Sequence, residues 1–409
     1  MTNSMRRVVI TGMGIWSCIG QDLLTVTENL KKGQTGIIYD PERIAFGLQC
    51  GLVGSVPRPD LRTLLPRRNR VTMNEDTEYA YMAVRQALDQ AHITDEYLCA
   101  NEVGIVFGGD GNTTRLQVYQ KMQQEKDTQL LDPYYLYQCS ASSCVVNLNT
   151  LFHLRGVSAG IGAACASSSH AIGIGKMYIE QGKQDIVIVG GCTEVKSAYF
   201  IALTDAIGAL SLNNSNPKTA SRPFDVSRDG FVPSGGAAAL IIEEYEHAIA
   251  RGATILAELA GYGFSSNGIE NISQSSSDAE YIAMKRALEN AHIYHEEIDY
   301  VNAHATSTIQ GDIEEAKAIT RLFGSKPYVS STKSITGHET AMAGASEAVY
   351  SILMMQNGFV APNINLENVI DEAKDLNIVR ETIYTPITTV LSNSSGMGGT
   401  NSALIFKKI

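Results

Sequence analysis

No two of the seven cysteines form a CxxC pair, and their odd number and scatter argue against a disulfide framework or a zinc site and for a reducing compartment. No stretch reaches the eighteen or so apolar residues of a spanning helix, so neither a membrane partner nor a membrane location is expected. Positive charge is short as well. Lys plus Arg number 32 against 43 for Asp plus Glu, a formal net charge of −11, and a nucleic-acid role has no electrostatic footprint over the whole molecule. The opening MTNSMRRVVITGMGIWSCIG has an Arg pair but no small-residue cleavage site, so it reads as a first buried strand, not a signal, and a cytoplasmic protein is expected. What remains is ordinary globular material. The 409 residues, 44% hydrophobic and 18% charged, suffice for two or three domain-sized cores.

An internal repeat organises the chain. YMAVRQALDQAHITDE (81–96) and YIAMKRALENAHIYHE (281–296) share Tyr, Ala, Ala-Leu, Ala-His-Ile and a final Glu at matching places. Each has helical apolar spacing and leads to a strand-like run, EVGIVFGG (102–109) or IDYVNAHA (298–305), which favours duplication over chance. Strands such as RRVVITG, DIVIVGG and AAALIIEE alternate with helices, the pattern of α/β layers. Two like halves, 1–250 and 251–409, are therefore expected to pack together. The Ser-, Asn- and Pro-rich segment 211–230 reads as a long, ordered and functional loop.

Three motifs are weak. GVSAG (156–160) fits a serine-hydrolase elbow, but a strand should precede Ser158 and LFHLR does not supply one. ITGMGIW resembles a dinucleotide loop with Ser17 in place of the third Gly, and a tight strand-to-helix turn explains it better. His292 and His295 have the spacing of a metal pair without a ligand cluster around them; a structural role is expected, and no metal.

IGAACASSSH (161–170) raises a sharper question, because Cys165 stands among small residues. VSAGIGAAC reads as a strand and a turn, and ASSSHAIGIGKMYIEQG as a helix. The sulfur then sits at a helix start, where the dipole and open N–H groups favour thiolate. A buried structural cysteine is the competing reading. Of only eight histidines, His304 in VNAHATSTIQGD and His338 in STKSITGHETAMAGASE lie in Gly/Ser/Thr-rich turns, the latter near Lys333.

These residues resemble the Cys-His-His set of the β-ketoacyl-acyl carrier protein synthases, the elongating condensing enzymes of the thiolase superfamily. The similarity runs in order through RRVVITGMG, CASSSH, SRPFDVSRDGFV, NAHATST, STKSITGH and SNSSGMGGTN. The resemblance implies a thiolase-like five-layered αβαβα sandwich of two duplicated halves, the first carrying the nucleophile and the second both histidines. It implies a decarboxylative Claisen condensation, in which an acyl group on Cys165 is joined to malonyl-acyl carrier protein and grows by two carbons. His304 and His338 would donate to the thioester enolate oxygen, and Lys333 would set the local charge. Glu315 and Glu347 match supporting carboxylates, for which a structural salt-bridge network is an equally good reading. The backbone N–H groups of Cys165 and Met397 would form the oxyanion hole. Thr306 and Thr308 would bind the pantetheine amides, and Phe231 the substrate. No bound cofactor is implied, since substrates arrive on the phosphopantetheine of the carrier protein. Arg67 and Arg68 in LLPRRNRV (64–71) align with the carrier-docking basic residues, a solvated charge run being the plainer alternative.

Three departures bear on substrate range. Ala305 replaces a Gly, ETAMAG after His338 is less Gly-rich than usual, and GMGG, preceded by Ser395, replaces a GFGG turn and its phenylalanine gate. At acyl-pocket positions where relatives carry Ile and Met stand Gly111 and Ser140, which suggests long or rigid chains and a specialised polyene, as in the aryl polyene or type II polyketide branch. The enzyme would be a homodimer, or a heterodimer with a ketosynthase-like subunit. Rival readings are a non-catalytic chain-length factor, which would have lost the cysteine, and a coenzyme A thiolase, which would carry a further cysteine near the C-terminus. Neither fits.

Overall fold

A computed structural model describes residues 6–109, 114–195 and 198–409; Gly111 lies outside the described residues. In chain order the elements that position the site are β1 (Val8–Trp16), α1 (Glu75–Gln90), β2 (Gly104–Gly108), β3 (Ser158–Ile161), α2 (Ser167–Glu180), β4 (Ile186–Thr193) and β5 (Gly236–Glu244). The second series is β6 (Ala257–Ser266), α3 (Ser277–Ala291), β7 (Tyr300–Asn302), α4 (Ile309–Phe323), β8 (Tyr328–Ser330), α5 (Ala343–Asn357), β9 (Asn377–Ile378), β10 (Thr389–Gly396) and β11 (Thr400–Lys407).

The strands run β9-β8-β7-β10-β11-β6-β1-β5-β4-β2-β3, and the pairing sense repeats on either side of the β6–β1 join. From β1 outward the pairs are antiparallel to β5 and β4, then parallel to β2 and β3. From β6 outward they are antiparallel to β11 and β10, then parallel to β7 and β8. Alternating side chains divide each strand between two cores. In β5, Ala238, Leu240 and Ile242 join α2 and α5 in a central core, while Ala237, Ala239 and Ile241 face α1. On the other half α3 packs on Val301, Leu391 and Ile405. Helices outside, sheets, and the α2–α5 pair between them make the five layers of a thiolase-like α/β sandwich.

The repeated helices begin before the sequence match and stop inside it. They end at Gln90 and Ala291, and the shared Ala-His-Ile is their stop signal: His92 and His292 adopt left-handed φ values of 55° and 54°. His292 is thus a structural residue. ITGMG is not a strand-to-helix turn, because Gly12 and Gly14 lie inside β1. A Cβ on them would come within 2.1 and 2.0 Å of the Ala87 and Ala83 carbonyls of α1, and on Gly261 and Gly263 of β6 within 2.4 and 2.1 Å of Ala287 and Ala283 of α3. The glycines let each outer helix lie directly on its strand, and the device occurs once in each half.

Candidate active site

β3 ends at Ile161, and after a short turn Ala164–Ala166 starts α2, with Cys165 in that turn. Ala164 is held at φ 46°, an uncommon conformation for a residue with a side chain. Ser167 secures it, its hydroxyl accepting from Ala163 N at 2.8 Å and donating to Ala164 O at 2.6 Å. The second half repeats the elbow before α5, where Thr340 also has φ 46° and Ala341 follows it. Only the first elbow carries a cysteine; the second has Ala341 in its place. His170, further along α2, bonds Tyr262 and Thr400 through its two ring nitrogens at 2.7 and 2.8 Å and is a satisfied structural histidine. Ser158 is exposed on β3 and bonded to Asn149, which disposes of the hydrolase motif.

Cys165, His304 and His338 line one cavity of about 270 Å³, together with Phe231, Thr306, Thr308, Glu315 and Met397. The histidine rings meet edge to face, centroids 5.3 Å apart, and Phe231 packs on His338 in the same way at 5.3 Å. Both Nδ1 atoms are buried and have no hydrogen-bond partner among the described residues. Burial holds both histidines well below their usual pKa, with the Lys333 charge acting in the same direction, so both are neutral N–H carriers.

Each histidine is fixed through its backbone. Glu315 on α4 accepts from the N–H groups of His304 and Ala305 at 2.7 and 2.6 Å and from Asn393 at 2.8 Å. His338 donates from its backbone to Val232 O at 2.7 Å, and Ser234 N donates to His338 O at 3.0 Å. The 211–230 loop leads into that contact: Arg228 bonds Thr308 O at 2.9 Å and Gly230 N bonds Ser307 O at 3.0 Å. Thr306 and Thr308 hydroxyls lie 3.0 Å apart. Lys333 and Glu347 form an ion pair with both side chains buried; burial pushes Glu347 up to about 7 against the pull of Lys333. The glycine turn carrying Met397 comes close to the elbow, where a Cβ on Gly396 would meet Ala163 O at 2.6 Å.

Other expected residues lie elsewhere. Ser140 lines a separate hollow, bonded to Ser142 at 2.7 Å. Arg67 and Arg68 are exposed on the one-turn helix Arg67–Arg70, and Arg67 joins Arg58, Arg62 and Arg70 around a surface cleft of about 450 Å³. Glu280 was missed. It lines the same cavity as Cys165 and the two histidines, accepts from Ser395 at 3.0 Å, and keeps Oε2 unpaired among the described residues. The repeat held the signal, since Glu280 stands where the first copy has the fully buried Ala80.

Buried carboxyls give the fold a pH signature. Burial pushes Glu339 up to about 8, against hydrogen bonds from Ser346 and Tyr350, and Asp312 and Glu347 up to about 7. An unfolded chain releases these protons near ordinary carboxylate values, so their stabilisation is complete at low pH and lost as pH rises towards 7 to 8. The depressed histidines act oppositely, costing stability only below their ordinary 6.5. Thermal midpoints should therefore fall between about pH 6.5 and 8, and Glu339→Gln should flatten that fall by up to about 1.4 kcal/mol per pH unit. An unchanged slope in the variant would refute the assignment.

Residues 5–248 match the β-ketoacyl synthase N-terminal domain and residues 256–367 its C-terminal domain. The chain is 40% identical over 414 residues to 3-oxoacyl-[acyl-carrier-protein] synthase 1 of Escherichia coli K12, covering 99% of this chain and 100% of the relative. Among solved structures, a β-ketoacyl synthase from Burkholderia phymatum superposes with a TM-score of 0.93 at 35% identity, covering 99% and 100% of the two chains. A ketosynthase solved in complex with its type II PKS acyl-carrier protein, bound to the hexaketide, does so at 0.88 and 28% identity, with the same coverage. With this architecture and a cysteine and two histidines on one cavity, the chain belongs to the β-ketoacyl synthase family, the acyltransferases that condense carrier-bound acyl groups.

Proposed function

We propose that Cys165 takes an acyl group from a carrier-protein thioester and passes it to the carbanion of a decarboxylated malonyl thioester, with residues 1–250 supplying the nucleophile and 251–409 the histidines. The observation that carries this is the convergence of Cys165, His304 and His338 on one cavity, both rings neutral. The Cys165 sulfur attacks the acyl carbonyl, and the pantetheine thiol leaves. Malonyl thioester then loses carbon dioxide. The resulting enolate oxygen accepts from Nε2–H of His304 and His338, and its carbon attacks the acyl-cysteine to release a 3-oxoacyl product. N–H groups of Cys165 and Met397 hold the tetrahedral oxyanion. Thr306 and Thr308 bind the pantetheine arm, Phe231 the substrate. Glu315 is a positioning residue for His304, and Lys333 with Glu347 sets the charge below the histidines. Incubation with carrier-bound acyl chains of graded length, followed by mass spectrometry of the Cys165 peptide, tests the first step; no adduct with any chain would refute it.

Arg67 and Arg68 are the carrier-docking residues in this reading, in a cytoplasmic enzyme working as a homodimer or beside a ketosynthase-like subunit. The second form, a polyketide or aryl polyene synthase half, is favoured by Ser395 and Met397 in the gate turn. Changing Arg67 and Arg68 to Glu should raise KM for carrier-bound substrate about tenfold, spare small thioester mimics, and lose its effect at high salt. Equal loss with both substrates would assign the pair to folding.

A further inference from the structure

Met397 sits at the tip of the hairpin that joins β10 to β11, and its N–H can serve an oxyanion on Cys165 only if that tip is held in place. Ser395 and Gly396 pair with Asn401 and Thr400, so Met397, Gly398 and Gly399 form a three-residue bend. Gly398 and Gly399 turn it with φ values of 91° and 86°, and such a bend is loose unless both arms are tied. Asparagines tie the outgoing arm: Asn267 N donates to Gly399 O at 2.8 Å, and Asn401 Nδ2 to Asn267 Oδ1 at 2.9 Å. The incoming arm is tied to α3, where Ser395 Oγ donates to Glu280 Oε1 at 3.0 Å. Gly396 lies between that bond and the tip and rests against the nucleophile elbow, since a Cβ there would meet Ala163 O at 2.6 Å. A shift of the incoming arm therefore moves Met397 relative to Cys165.

Glu280 is a costly way to tie a hairpin. It is 2% exposed, Oε2 has no partner among the described residues, and no Lys or Arg among them lines the cavity it shares with Cys165. Burial holds its carboxyl well above the usual carboxylate range, and the charges of Glu315, Glu314 and Asp312 push the same way, so the group is neutral. The first copy of the repeat shows what packing alone would place here, because the matching residue of α1 is the fully buried Ala80. A carboxyl in such a position costs stability, and what it adds is the bond to Ser395. Being neutral, it accepts that bond without setting a fixed negative charge on the cavity in which an oxyanion has to form.

We infer that Glu280 is a positioning residue for the reaction: through Ser395 it fixes the hairpin so that Met397 N–H meets the oxyanion formed on Cys165. The inference rests on the reading in which Cys165 is acylated and Met397 N–H is an oxyanion donor, and it adds the pair of side chains that sets the donor's place.

Single-turnover acylation of Cys165 by a carrier-bound acyl thioester, at a series of substrate concentrations, gives a maximal rate and a half-saturation concentration for each variant. Glu280→Ala and Ser395→Ala should each lower the maximal rate about ten- to a hundredfold, as a misplaced catalytic group does, and leave half-saturation unchanged, because the donor acts on the transition state and not on the bound substrate. The double variant should be no slower than the slower single one, since both substitutions break the same contact. Glu280→Gln, whose amide oxygen can accept the same bond, should recover most of the rate lost in Glu280→Ala. Ser395→Ala, at a partly exposed residue, carries the test if Glu280→Ala does not fold. Full rate in Ser395→Ala, a loss seen in half-saturation instead of maximal rate, a double variant in which the two losses multiply, or Glu280→Gln as slow as Glu280→Ala overturns the inference. A native enzyme that no chain acylates overturns it together with the catalytic reading; acylation indifferent to the pair overturns it alone.

Discussion

Cys165→Ala is expected to cut condensation at least about 10⁴-fold and to abolish the acyl-enzyme, because none of the other six cysteines lines the catalytic cavity with the histidine pair. Cys165→Gln should separate the two half-reactions. Its carboxamide carbonyl can occupy the oxyanion hole as an acyl-cysteine would, so malonyl decarboxylation should continue while condensation stops. His304→Ala and His338→Ala should instead slow decarboxylation itself, and condensation with it, while leaving the acyl-enzyme able to form, each removing an N–H that the enolate oxygen needs, at about 10² to 10³ in rate per donor. Carbon dioxide release, measured beside product formation, reads both steps. Decarboxylation lost in Cys165→Gln but kept in either histidine variant would overturn the division of labour.

Lys333→Met should destabilise the fold by about 3 to 5 kcal/mol, the usual cost of leaving one partner of a buried ion pair alone. Lys333 and Glu347 are 2% and 1% exposed, and Glu347 Oε2 already lacks a partner among the described residues. With Lys333 gone, Glu347 escapes the penalty only by taking a proton, so the loss should be larger at pH 8 than at pH 6. The double variant Lys333→Met/Glu347→Leu should regain most of the stability, since apolar replacement of a buried pair is often neutral or better. It should not regain activity. Denaturant midpoints and initial rates on the same proteins make the comparison. Recovery of both would leave the pair a purely structural role.

How much of this was legible beforehand depends on whether the information was local or distributed. The Ala-His-Ile repeat announced two like halves, and the small residues around Cys165 announced a helix-start elbow, because helix stops and tight turns are written in a few consecutive residues. ITGMG was misread: its two glycines fit a turn as well as a strand, and only a helix laid across them, Ala83 and Ala87 facing Gly14 and Gly12, distinguishes the cases. Glu280 went unseen because its burial comes from the packing of α3 and its hydroxyl partner, Ser395, lies 115 residues away.

By itself the sequence determined the alternation of strands and helices and the duplication, and singled out one helix-start cysteine and two turn histidines as candidates. Those follow from periodicity and side-chain chemistry, which neighbouring residues decide. Only the tertiary structure decided that Cys165 and the two histidines, 139 and more positions further on, share one cavity, and that both rings are neutral. The charge state of a buried ring depends on the water excluded by every element around it and on the Lys333 charge, and no run of consecutive residues contains that information.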